Sequence, residues 1–330
     1  VYNEYFKKWA PQTRVNVNVN GGNDKVKYFL NVGYMGQSGQ LKNDDTKALG
    51  YDPSFKSNRF NFRSNLDFNL FKNLKLSLNV ASYLGNVNSP AVPGGYYPGG
   101  DTQMVTHNMT MVWNTDPTQP GPVTVAGLTD PDGNPIEPGY AVQQQGLSGA
   151  GSVYGDLNRR GYKHQTYMTL NSSFILDWGL DFITKGLSTK LQIAFDTKAH
   201  GTRQGEREYD VYDVQVAREP GQECYYTVRT GNKNDALSMT KFYNTNYYLN
   251  AQYSINYERD FGPHRVTGMF LFQRDNWQKY AADLPYNMMG VAGRATYGFD
   301  GRYLAEVNLG YNGSEQFAKG HRFGFFPAFS

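Results

Sequence analysis

The sequence predicts an all-β chain: an antiparallel, up-and-down transmembrane β-barrel, incomplete, with about thirteen strands of a larger ring. Three observations predict it. Apolar residues recur at every second position in run after run, as in strands with one greasy face and one wet face. The connections between runs alternate short and long, as they do at the two rims of an outer-membrane barrel. Several runs reach about ten residues, enough to cross a bilayer at a tilt, with aromatics gathered near their ends.

Each run can be read in turn. Val15, Val17 and Val19 share one face of VNVNVN. Val26, Tyr28, Leu30, Val32 and Tyr34 follow. RFNFRSNLDFNL sets Phe60, Phe62, Leu66, Phe68 and Leu70 on one parity, broken only by Ser64. Its other parity carries Arg59, Asn61, Arg63, Asn65, Asp67 and Asn69. Leu74, Leu76, Leu78 and Val80 come next, then Met168, Leu170, Phe174, Leu176 and Trp178, then Leu191, Ile193 and Phe195. Tyr247, Leu249, Ala251, Tyr253, Ile255 and Tyr257 make another face, as do Tyr303, Ala305, Val307, Leu309 and Tyr311. Less regular strands fit Tyr209–Ala217, Cys224–Thr230, Val266–Arg274 and Val291–Phe299, and a thirteenth opens near Phe323.

One strand alone fits a soluble sheet as well as a barrel, since either can wet one face and bury the other. Loop length separates the two. GGNDK, FKN, REPGQ, RDFGPH and FDGR are short; about 38–58, 88–162 and the stretches around GNKNDALSM, AADLPYNM and NGSEQFAKGH are longer. A soluble sandwich has no reason to sort loop length by parity. The aromatics Tyr34, Tyr83, Trp178, Tyr257, Phe299, Tyr303 and Tyr311 suit interfacial girdles, though aromatics are also good strand formers in any setting. The polar parity then becomes the lumen, with Arg59, Arg63, Asp67, Lys190, Asp196, Glu258, Arg294 and Glu306 facing inward. Each would cost up to about 2–4 kcal/mol at the bilayer midplane, which fixes the register.

Composition agrees. With 26 Tyr, 20 Phe and 36 Gly the chain is too aromatic for disorder, although its mean hydropathy is −0.63. A net charge of +3 among scattered charges excludes a nucleic-acid surface. The lone Cys224 gives no internal disulfide. No signal peptide opens the chain, and both ends read as cuts through a longer protein.

The segment 88–162 is expected to be a long extracellular loop, rich in Pro and Gly. Its Tyr96, Tyr97 and Trp113 suit stacking on sugar faces, contact with a lid partner, or packing of the loop on itself. Chemistry is otherwise sparse. DPDGN lacks the sixth-position Gly and twelfth-position Glu of a calcium loop, and the five His stand apart, so no metal or cofactor is expected. No P-loop, GxSxG or HExxH occurs, and no catalytic residue is assigned.

Two segments carry a family resemblance. VNVNGGNDKVKYFLNVGYMGQSGQLK with RFNFRSNLDFNLFKNLKLSLNV resembles the barrel of SusC/RagA-type TonB-dependent transporters, through Gly21, Gly22, Lys25, Tyr28, Gly33, Tyr34, Gly39, Arg63, Asn65, Leu66 and Asp67. WAPQT resembles the stretch between that family's plug and its first barrel strand. NGSEQFAKGHRFGFFPAFS is similar through Asn312, Gly313, Ser314, Phe317 and Arg322. The resemblance implies residence in the outer-membrane lipid and a 22-stranded barrel with an N-terminal plug. It implies import of oligosaccharides or peptides, powered through TonB, with a SusD-like surface lipoprotein as lid. About thirteen strands cannot close such a barrel, so plug and TonB box are expected outside this stretch. A passive porin, a non-enzymatic surface glycan-binding β-sheet protein and an outer-membrane enzyme are the competing readings.

Overall fold

Sixteen strands and the short helix Val153–Asn158 are described in the computed structural model, which describes residues 5–43, 49–91, 109–110, 112–113, 128–129, 135–136, 141–142, 152–215, 225–228 and 236–330. The strands are β1 (Gln12–Gly22), β2 (Val26–Ser38), β3 (Lys56–Phe71), β4 (Leu74–Pro90), β5 (Leu128–Thr129), β6 (Pro135–Ile136), β7 (Ala141–Val142), β8 (Gly161–Gly179), β9 (Leu187–Glu206), β10 (Val211–Gln215), β11 (Tyr225–Val228), β12 (Ser238–Phe261), β13 (His264–Gln278), β14 (Tyr286–Phe299), β15 (Tyr303–Ser314) and β16 (Phe323–Phe329). Eleven form one sheet in the order β1-β2-β3-β4-β8-β9-β12-β13-β14-β15-β16. Every neighbouring pair in that sheet is antiparallel, and β1 and β16 do not pair with each other, so the sheet is open.

Two expected strands lie elsewhere. β10 and β11, read from Tyr209–Ala217 and Cys224–Thr230, pair with each other, and β10 pairs with β7 in a separate three-stranded sheet. The expected count of thirteen in the main sheet is therefore eleven. Removing a hairpin removes one short turn with its two strands, so the alternation of connections survives. Residues 23–25, 72–73, 180–186, 262–263 and 300–302 link strands at one rim; 39–55, 91–160, 207–237, 279–285 and 315–322 link them at the other. The short links have specific causes. Asn23 Oδ1 accepts the backbone N–H groups of Lys25 and Val26, both at 2.9 Å. Asp300 and Gly301 both take positive φ, 52° and 66°, the twist that a tight hairpin demands.

Register fixes the faces. Residues directly opposite one another project to the same side. The row Val26, Phe68, Leu76, Leu176, Leu191, Tyr253, Phe272, Val291, Tyr311, Phe325 crosses ten strands without a charge. Four hydroxyls that interrupt this face are tied down: Ser82 donates to the Thr169 carbonyl at 3.1 Å, Ser172 to Phe195 at 3.0 Å, Thr189 to Ser254 at 2.9 Å and Thr197 to Asn246 at 2.8 Å. No second layer covers it among the described residues. Val17 is 58% exposed, Phe60 48% and Phe270 47%.

The sheet is also staggered. A row that leaves the end of β2 at Lys27 passes through Asp67, Ser77, Ile175, Gln192, Gln252, Gln273 and Gly290 and reaches β15 at Asn312. β2 begins at Val26 and β15 at Tyr303, so the turn rim has slipped about eight residues in about eight strand steps. At about 3.4 Å per residue and about 4.8 Å between strands, that slip tilts the strands by roughly 35–40° from the barrel axis. Barrel walls show tilts of about 35–45°.

The buried core lies outside the main sheet. Tyr5, Phe6, Leu41, Val112, Val153, Leu157, Tyr209 and Val211 cluster around α1 (Val153–Asn158) at the rim of the long connections. Ser152 caps α1 by accepting the Gly155 N–H at 3.3 Å. The Tyr209 ring lies over Gly155, where a Cβ would come within 2.1 Å of it. Tyr209 donates its hydroxyl to Asp156 Oδ1 at 2.7 Å, and Arg160 Nε donates to the same oxygen at 2.6 Å. Burial raises the Tyr209 pKa well above its ordinary value of 10.0, with the neighbouring Asp156 charge adding to the effect. For Arg160, burial works against the charge, but Asp156, Tyr209 and Glu206 together outweigh it and the pKa rises.

A raised phenol pKa means the folded cap holds that proton more tightly than the unfolded chain. Its contribution is complete below about pH 10 and is lost as pH climbs through the folded value. Proteolysis within 152–211 should stay slow up to that point and accelerate beyond it. Tyr209→Phe should be cut roughly tenfold faster even at pH 8, because Asp156 loses a donor worth about 1–3 kcal/mol.

Candidate functional site

The polar face of the main sheet carries the charges. Asp67 accepts from Ser77 at 2.5 Å and pairs with Lys75 at 3.2 Å; Arg294 pairs with Glu306 at 2.8 Å, and Arg265 with Glu258. These pairs bridge neighbouring strands. At exposed sites such pairs contribute little stability each, about 0–1 kcal/mol. Their effect is to keep this face ionic and wet.

Three of the aromatics on this face meet in a single row. Tyr248 on β12 stands opposite Trp277 on β13, which stands opposite Tyr286 on β14. Trp277 and Tyr286 stack with centroids 5.6 Å apart at 19°, and Tyr248 meets Trp277 at 6.4 Å and 40°. The same row continues to Asp196, Asn171, Ala81 and Arg63. Asn171 donates to Asp196 at 2.8 Å. A cleft of about 570 Å³ opens here, lined by the three aromatics with Asn171, Asp196, Lys198 and Lys279 among its polar groups.

The platform is braced from one side. Asp275 Oδ1 accepts the Tyr248 hydroxyl at 2.5 Å and the Asn250 amide at 2.6 Å, and Oδ2 accepts from Gln273 at 2.7 Å. Asp275 and Asn250 are only 7% and 6% exposed. A buried carboxylate with three donors is satisfied, and it pins the Tyr248 ring in place. A flat aromatic surface beside a carboxylate, an ammonium and amides can hold a large polar solute by stacking one face and hydrogen-bonding its edges.

Of the residues singled out in the sequence, Arg63 shares the row of this platform. Arg59 sits four residues along the same face, its guanidinium 5.6 Å from the Tyr83 ring centroid and its Nε without a hydrogen-bond partner. Asp67, four residues the other way, is engaged by Ser77 and Lys75. Trp113 is 79% exposed beside buried Val112 and lines no part of the cleft. Tyr96 and Tyr97 lie outside the described residues. The sequence reading missed Tyr248, Trp277 and Tyr286. Their signal was present: each is an aromatic on the parity otherwise held by Asn, Gln and charges. Among the described residues no three His, Cys, Asp or Glu side chains gather to hold a metal.

The sheet is a stretch of up-and-down barrel wall, tilted, two-faced and open at both edges. No family model matches the sequence, and no curated protein matches it. Its fold is similar to that of the RagAB peptide importer in the closed-closed and open-open states, each with a TM-score of 0.61 at 15% identity, covering 99% of this chain and 34% of that chain. A further structure of the RagAB peptide transporter gives a TM-score of 0.56 at 16% identity over the same shares. The chain thus spans about a third of the length of those solved chains.

Tyr248→Phe should cost about 1 kcal/mol, the net value of one hydrogen bond. Asp275→Leu should cost more, about 1–3 kcal/mol, since three donors then lose their acceptor. Chemical unfolding of the two variants against the parent protein checks both the order and the size.

Proposed function

We propose that the chain is part of the barrel wall of a SusC/RagA-type TonB-dependent transporter in the outer membrane. The uncovered apolar face is the observation that carries this reading. On β4 it runs from Leu74 to Leu84, and on β8 from Trp178 to Met168. Ten residues at a tilt of roughly 40° rise about 25 Å, the height of the apolar band on an outer-membrane barrel. The bonded hydroxyls support it too, because hydrocarbon offers no water to an orphan donor. On this reading the rim of short links faces the periplasm, and the long connections, 88–162 among them, face outward. Arg59, Arg63 and Asp67 face the lumen.

The solute is an oligosaccharide or a peptide, held in passing by the Tyr248–Trp277–Tyr286 platform. A wide barrel needs a plug, and with it TonB to drive release; a SusD-like lipoprotein covers the outer mouth. Tyr96, Tyr97 and Trp113 belong to the surface that meets that lid or the incoming solute. Likeness to the RagAB fold supports this assembly. A transporter of this kind needs no catalytic residue, which fits the absence of the searched motifs from the sequence.

Adjacent substitutions test the membrane reading. Leu78→Arg should cost about 2–4 kcal/mol and cut the heat-modifiable folded fraction in outer membranes, whereas Asn79→Arg, on the other face, should leave it nearly unchanged. Equal effects would sink the proposal. For transport, uptake by cells carrying the intact protein should stop when the proton gradient is collapsed; a passive porin would continue. Trp277→Ala should weaken solute binding about fivefold, from about 1 kcal/mol of lost stacking, measured by titration with oligosaccharide and peptide mixtures.

A further inference from the structure

Above the apolar band, the same outward parity turns basic. The row Lys56, Asn88, His164, Arg203, Lys241 crosses β3, β4, β8, β9 and β12. It lies on the face of Phe60, Leu84 and Met168, four residues further from the short-link rim on β3, β4 and β8. Four residues along a strand tilted by roughly 40° rise about 10 Å, which brings the row to the outer edge of the headgroup layer. On β8, β9 and β12 this row opens into a cleft of about 280 Å³ lined by His164, Thr166, Arg203, Lys241 and Tyr243.

Basic groups dominate this cleft among the described residues. Arg203 and Lys241 are exposed and make no ion pair among the described residues. Lys56, at the neighbouring end of the row, is already paired with Asp52 and so adds little. Thr166 spends its hydroxyl on Asn86 at 3.1 Å. Tyr243 packs its ring against Gly201, where a Cβ would lie 3.2 Å away, and remains 78% exposed. Two cations with no ion pair among the described residues, an imidazole and an aromatic edge thus face outward beyond the apolar band. Their parity turns them away from the lumen, so the solute does not meet them.

We propose that this cleft holds the phosphate of an anionic lipid headgroup in the outer leaflet, so that one lipid is seated at a fixed place on the wall. The proposal rests on the membrane reading above. Arg203 supplies a planar fork suited to phosphate oxygens, Lys241 a second charge from above, and Tyr243 a surface for the headgroup's carbon atoms.

The test uses the intact transporter in nanodiscs of phosphatidylcholine with a minor fraction of phosphatidylglycerol, followed by native mass spectrometry of retained lipid. Phosphatidylglycerol should be enriched on the parent protein. Arg203→Gln and Lys241→Gln should each reduce enrichment about fivefold, the factor for one cation near an anionic surface. Lys190→Gln, on the inner face, should not. Equal enrichment in the parent and the double variant would overturn the proposal while leaving the membrane reading standing. So would binding of inorganic phosphate to lipid-free protein without any lipid preference, which would assign the cleft to a soluble anion. Failure of the parent to enter nanodiscs as a folded barrel would remove the membrane reading and this site together.

Discussion

Register is the constraint on which the rest of this structure depends. Opposed residues share a face, so one apolar side and one charged side can persist across eleven strands only if each pair is aligned to the residue. A slip of one position between β3 and β4 would move Arg63 and Asp67 to the side of Leu76 and Leu78. With hydrocarbon on that side, the cost would fall on each displaced charge. The same alignment assembles the aromatic platform, whose three rings come from three strands and meet only because their ladders match. The aromatic platform and the greasy surface are therefore two consequences of one set of backbone hydrogen bonds.

Much of this was legible in the residues, and what was not has physical reasons. Period-2 alternation marks a strand only where its two faces meet different solvents. It was clear from Leu74 to Val80 and faded beyond Ser82, although β4 continues to Pro90. β12 likewise begins at Ser238, nine residues before the first residue of the alternating run at Tyr247. Above the apolar band both faces are polar, so the pattern vanishes while the ladder goes on. Tyr209–Ala217 showed the reverse: it reads as a strand, yet it pairs away from the main sheet, because strand-forming residues say nothing about the partner strand. Loop parity was robust to that error, since hairpins leave and enter in twos.

The platform escaped notice for a related reason. Parity reading sorts aromatics with the greasy face, and Tyr248, Trp277 and Tyr286 stand among Asn, Gln and Asp. Each looked like a small irregularity in its own strand. Only the pairing brings them side by side, and only the side-chain geometry shows Asp275 holding one of them. The basic row was hidden in the same way: Lys56, His164, Arg203 and Lys241 are far apart in sequence and meet through four successive ladders.

The oblique run of the strands carries a mechanical consequence. A tug along the pore axis resolves mostly along the strands, so each ladder is loaded lengthwise and its many bonds strain at once. A sideways tug would instead peel the outermost ribbon bond by bond. On the proposed reading, a wall built this way resists the direction in which cargo is drawn through.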